Sequence, residues 1–229
     1  MKFQTTSMPE SLIEQAQATY MSKVYAWMFA GLLITGFTAW YFFNSGLIFS
    51  IAGWLLPLII VQLALVFILS ARVHKLSYIT ASIMFLGYSL LTGITLSTIF
   101  VIYELGTIQE VFFIAASMFA ALSAFGYFTK KSLSGIGNFL FMGLFGIIIA
   151  SIVNIFIGSS GLYFAISFVG VLIFAGLTAY DTQKIKEMYI LQYEDEAMAS
   201  KGAIIGALAL YLDFINMFLF LLRIFSSRD

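Results

Sequence analysis

Two aspartates, Asp181 and Asp213, are the residues best placed to do chemistry. Asp213 interrupts an apolar run that extends from Gly202 to Leu222. An isolated charge near a bilayer centre costs roughly 2.5–3.5 kcal/mol even on lenient insertion scales, so such residues face a partner or a water-filled cavity and mark ion or proton paths. Asp181 ends the preceding apolar segment. Two carboxylates brought together in a low-dielectric site cannot both ionise cheaply, and the pair then shares a proton and titrates as a unit. A nearby cation would restore the charged form. Arg72 is the foremost candidate, with Lys75 and Lys184 behind it. Two simpler roles stay open: Asp181 as a solvated helix-end residue, and Asp213 as a carboxylate capped by Asn216 or Tyr211.

Composition sets the medium in which this pair works. Of 229 residues, 62% are hydrophobic and only 10% charged, and the mean hydropathy is +1.02. A soluble domain of this length cannot hide so much apolar surface, so the chain reads as a polytopic membrane protein whose first partner is the lipid bilayer. The absence of cysteine excludes disulfides, thiolate metal sites and cysteine nucleophiles. A single histidine, His74, argues against a histidine-built zinc site. Net charge is zero and the basic residues are scattered, so nothing points to nucleic acid. No tightly bound cofactor is expected.

The elements that must position the aspartates follow from the apolar runs. Stretches long enough to cross a bilayer, at about 20 residues each, lie at 21–43, 47–70, 77–103, 108–128, 136–158, 162–188 and 202–225. The expected fold is an all-α, seven-transmembrane-helix bundle: a cytoplasmic tail over 1–20, then one transmembrane domain over 21–229. Six spans with a re-entrant final hairpin is the alternative. The second span has the softest start, because Pro57 sits one turn into a re-entrant entry or marks a kink. Nine Lys or Arg residues lie on the N-terminal side of the seven-span layout; only Arg223 and Arg228 lie on the other. The positive-inside rule then places the N-terminus in the cytoplasm and the C-terminus outside. Trp27, Trp40, Tyr41 and Trp54 fall toward span ends, as interfacial anchors do. Glycines inside spans, among them Gly170, Gly202 and Gly206, suit close helix approach.

Spans six and seven read as an antiparallel hairpin. Asp181 and Asp213 are then mirror positions about residue 197 and lie at similar depth. The face of Asp213 carries Gly206, Ala209 or Leu210, Asn216 and Phe220; that of Asp181 carries Gly170, Phe174, Leu177 and Thr178. Small and polar residues on both faces suit a close seam. Sequence does not show helix rotation.

At these same residues the chain resembles the Bax inhibitor-1 family, also called the transmembrane Bax inhibitor motif proteins. The resemblance is carried by Gly176-Leu-Thr-Ala-Tyr-Asp-Thr-Gln-Lys-Ile-Lys186, by Leu210-Tyr-Leu-Asp-Phe-Ile-Asn-Met-Phe-Leu219 and by Tyr88-Ser-Leu-Leu-Thr-Gly-Ile-Thr-Leu-Ser97. It covers essentially the whole chain. Its length, short tails and the Met21–Trp27 stretch are most similar to a bacterial inner-membrane member. The resemblance implies a pH-sensitive calcium leak pathway, in which Asp181 and Asp213 form the pH-sensing dyad and a span-two arginine latches it closed. Arg72 is the candidate for that latch. Gln62 departs from members that carry an acid in span two.

Three functions follow as expectations. The first is a cation leak channel gated by the dyad. Calcium and protons would be its ions; calcium would touch Asp181 and Asp213 in passing, and Asn216, Tyr211 and Thr178 would supply supporting polar groups. Glu104 and Glu110 would stand at the external mouth. The second is a regulator of a membrane quality-control or stress pathway, acting on a membrane-protein partner. The third is an intramembrane aspartyl protease, which also pairs a Tyr-Asp with a second Asp. Tyr211-Leu-Asp213 lacks the glycine before the second Asp of those enzymes, and neither Pro9 nor Pro57 is followed by Ala. No enzymatic activity is therefore expected.

Overall fold

The structure is a computed structural model that describes residues 10–192 and 196–226. Inside hydrocarbon every backbone N–H and C=O must find a partner within its own segment, so uninterrupted apolar runs become helices. Seven long helices result: α1 (Glu10–Asn44), α2 (Leu55–Arg72), α3 (Tyr78–Leu96), α4 (Leu105–Phe128), α5 (Ser134–Ile157), α6 (Ser160–Gln192) and α7 (Glu196–Ser226). All seven, α3 together with the short helix Ile99–Ile102, are long and apolar enough to cross a membrane. Seven candidate spans are present, and α6 and α7, at 33 and 31 residues, are each long enough to cross fully.

Local chemistry sets the ends. Gly158 takes a left-handed conformation (φ 67°) after α5, where a side chain would strain the backbone, and its N–H donates to Asn154 O. The Ser77 hydroxyl caps α3 by accepting from Thr80 N. The soft start of the second span resolves into a short helix, Leu47–Ile51, and a 3-10 turn, Ala52–Trp54. Pro57 then falls in the first turn of α2, where its missing N–H costs nothing. The first helix begins at Glu10, so the stretch read as the end of a tail is helical from that residue. The turn expected around residue 197 includes 193–195, which lie outside the described residues, as does Arg228.

α7 is the axis of the bundle. It packs against α1, α3, α4 and, most extensively, α6, and 67% of its apolar stretch is buried, against 6% for α2 and α5. α2 leans chiefly on α3 and α5 on α6. Two close approaches along the α6–α7 seam use glycine. A Cβ on Gly206 would lie 2.9 Å from Ile185 Cγ2, and one on Gly170 would lie 2.7 Å from the Phe220 ring. Trp40, Tyr41 and Trp54 are exposed, as anchors should be, but Trp27 is half-buried and packs edge-on against Tyr78 and Phe85. Trp27 is therefore part of the α1–α3 contact.

Candidate functional site

The hairpin register holds. Phe174 and Phe220 are also mirror positions about residue 197, two helical turns from the aspartates, and their rings stack with centroids 5.9 Å apart. The same register carries Asp181 and Asp213 onto one cavity of about 770 Å³ at the α6–α7 seam. Asp181 is close enough to act on Asp213 through its charge. α5 forms the outer wall with Leu144, Ile148 and Ile152, and Ser70 at the end of α2 borders the opening. Leu177, Ala209, Asn216 and Phe220 line the cavity as their helical faces require.

The two acids sit differently. Asp213 is only 4% exposed, and its Oδ2 has no hydrogen-bond partner among the described residues. A buried carboxylate oxygen left so is expensive; it calls for a proton, a donor or a cation. Asp181 is half-buried and has Lys184, one turn along α6, as its neighbouring charge. Lys184 is exposed, lines the cavity and holds its Nζ 5.6 Å from the Tyr180 ring centroid. Arg72 is exposed at the last turn of α2, and among the described residues that line the cavity the cation is Lys184.

The supporting polar residues divide. Asn216 lines the cavity and spends its Nδ2 on Leu212 O, which leaves its Oδ1 to accept. Thr178 is fully buried and donates to Phe174 O within α6. Tyr211 faces the other way, because two residues along a helix turn a side chain by about 200°. Its hydroxyl meets Thr35 Oγ1 at 2.6 Å, and its ring stands edge-on to Tyr88 and Phe85. Tyr211 therefore belongs to the α1–α3–α7 core, and as a cap for Asp213 it is corrected. Gln62, in turn, donates to Leu91 O and Thr95 Oγ1 and ties α2 to α3. Glu104 and Glu110 are exposed around the start of α4.

Several site-building residues were not picked out from sequence. Gln183 is buried and braces the α4–α5 loop: its Oε1 accepts from Leu133 N at 2.8 Å and its Nε2 donates to Lys131 O at 2.9 Å. Thr182 shares a hydrogen bond with Ser123 of α4, and Ser123 with Tyr25 of α1. These neighbours on either side hold the segment that carries Asp181. At the opposite end Arg223 lies over the Phe220 and Tyr163 rings. The Phe174–Phe220 pair was legible in principle, since the mirror rule that pairs the acids pairs them too. Gln183 had no such signal, because its partners are backbone atoms of a distant loop. Among the described residues no cluster of three or more His, Cys, Asp or Glu is placed to hold a metal ion.

A seven-span helical bundle with one buried and one half-buried acid at the seam of its last two helices is a polytopic membrane protein with an intramembrane ionisable site. Residues 17–229 match the family described as inhibitor of apoptosis-promoting Bax1, and the chain belongs to this Bax inhibitor-1 family. It is 51% identical to the inner membrane protein YbhL of Escherichia coli K12 over 92% of both chains. It is 44% identical to an uncharacterized protein of Deinococcus radiodurans over 92% of this chain and 91% of that one. With the Rickettsia prowazekii protein RP147 it shares 40% identity over 98% of this chain and 96% of the other. Like YbhL, it is a multi-pass protein of the inner membrane.

Proposed function

We propose that the protein is a pH-sensitive cation leak channel, with calcium as a permeant ion, gated by proton sharing between Asp181 and Asp213. It would work without a catalytic step and without a resident cofactor. The observation that carries this reading is the shared cavity, lined by both Asp181 and Asp213, with an Asp213 oxygen buried and unpartnered among the described residues. A pair of carboxylates in such a place holds one proton between them readily and two negative charges only with a cation present. Protons and cations therefore compete for the same oxygens. Lys184 supplies a built-in cation at the end where the lysines cluster. At the far end stand the stacked Phe174 and Phe220 rings, with Arg223 beyond them.

The test is calcium flux into vesicles that contain the reconstituted chain and an enclosed indicator. Flux should change between about pH 6 and about pH 8, and apparent calcium affinity should fall toward the acid side because protons displace the ion. Asp213→Asn and Asp181→Asn should each flatten that dependence. If both variants follow the wild-type profile, the gating role of the pair is wrong.

A further inference from the structure

The cavity that holds the two acids is larger and more apolar than an ion alone requires. Its volume of about 770 Å³ falls within the range of roughly 300–1,000 Å³ typical of small-molecule sites, which are apolar chambers with a few convergent polar groups. Most of its wall is aliphatic or aromatic, from Leu144 and Ile148 on α5 to Phe174 and Phe220 at the far end. The polar groups converge at one place. Asp213, Asp181 and Asn216 all line the cavity; Asp213 has a buried oxygen that nothing in the described structure satisfies, and Asn216 has its Oδ1 to spare. A divalent ion at rest takes about six to eight oxygens. An ammonium group has at most about three N–H donors to place, and these three side chains accept that many.

We propose that this cavity binds amphiphilic amines, with the ammonium group on Asp213 and Asp181 and the apolar body along α5 toward Phe174 and Phe220. The protein already brings one ammonium to this cavity, since Lys184 lines it and its charge acts on Asp181. The way in is through the lipid. α5 and α2, which border the cavity, are the least covered of the seven helices, so an amine dissolved in the bilayer reaches the opening without crossing the core. Bound there, it would satisfy the Asp213 oxygen and fill the space between the acids and the aromatic stack. The inference rests on the proposed role of the pair as an acid site but not on conduction, because binding is read without flux.

The experiment uses the full chain in nanodiscs of neutral phospholipid, with dodecylamine as probe and dodecanol as its uncharged counterpart, and counts adducts by native mass spectrometry. Expected is a single, saturable dodecylamine adduct per chain with no matching dodecanol adduct. Asp213→Asn should weaken it about 30-fold or more, as loss of a buried charge partner does. Ile148→Trp, which fills the outer wall and keeps both acids, should also abolish it. This second variant carries the test if Asp213→Asn does not elute as a monodisperse protein. Equal retention of amine and alcohol, adducts that never saturate, or wild-type binding by a folded variant would overturn the proposal. A chain that leaks calcium but binds no amine loses this inference and keeps the channel; the reverse outcome does the opposite.

Discussion

Among the described residues the charge that acts on Asp213 is that of Asp181, whereas Asp181 has Lys184 one helical turn away. That asymmetry decides which basic residue matters. A charge acts on its neighbour over a few ångströms and is screened by salt beyond about 10 Å. Lys184 lines the cavity and Arg72 is exposed at the end of α2. Lys184→Gln should raise apparent calcium affinity roughly two- to fivefold, because a competing cation at an exposed position is worth a fraction of a kcal/mol to about one. Arg72→Gln should change it by less than about twofold under the same salt. Both follow from calcium titration of flux in the vesicle assay, and a larger effect of Arg72 would return the latch to α2. The carboxylates themselves were legible in the sequence, because an acid in an apolar run has few uses. The identity of the neighbouring cation was not: Arg72 and Lys184 both carry one positive charge, and only their placement in the fold separates them.

At the scale of elements, the position of α5 governs how open the cavity is, since α5 is its outer wall and rests mainly on α6. Gln183 ties the two by taking Leu133 N, in the last residue before α5, and giving its amide to Lys131 O. Gln183→Leu leaves the Leu133 N–H buried without an acceptor. It should cost about 1–3 kcal/mol and speed hydrogen exchange at Leu133. Gln183→Glu keeps the acceptor and loses the donor, so it should keep Leu133 protected while freeing the carbonyl of Lys131. Exchange measured by mass spectrometry on both variants checks this, and unchanged protection in Gln183→Leu would refute the clamp. Helix existence and the α6–α7 register were readable because hydrophobic length and mirror spacing about residue 197 depend on the chain alone. Helix ends shifted where caps intervene, as Gly158 does after α5 and the Ala52–Trp54 turn does before α2. Loop braces such as Gln183 depend on backbone atoms about 50 residues away and leave no periodic trace.

For the whole molecule, α7 carries two polar faces in opposite directions. Asp213 looks to α6 and the cavity, and Tyr211 looks to Thr35, Tyr88 and Phe85 in the α1–α3 half. Any shift of α7 that changes the acid pair therefore also works against a hydroxyl contact buried on its far side, which ties the seam to the rest of the bundle. The direction of transport depends on how this bundle sits in the membrane. Lys184, Lys130, Lys131 and Lys201 lie toward one end and Arg223 toward the other, and the lysine excess predicts that the first end faces the cytoplasm. The chain has no cysteine, so single cysteines can report sidedness with no background. Ser132, between α4 and α5, and Ser160, at the start of α6, are both exposed and lie at opposite ends of α5. In intact spheroplasts a membrane-impermeant maleimide should label Ser160→Cys and spare Ser132→Cys, and permeabilisation should make both react. The reverse pattern would turn the bundle over, place Lys184 on the outer side, and make the acid pair a sensor of external rather than cytoplasmic protons.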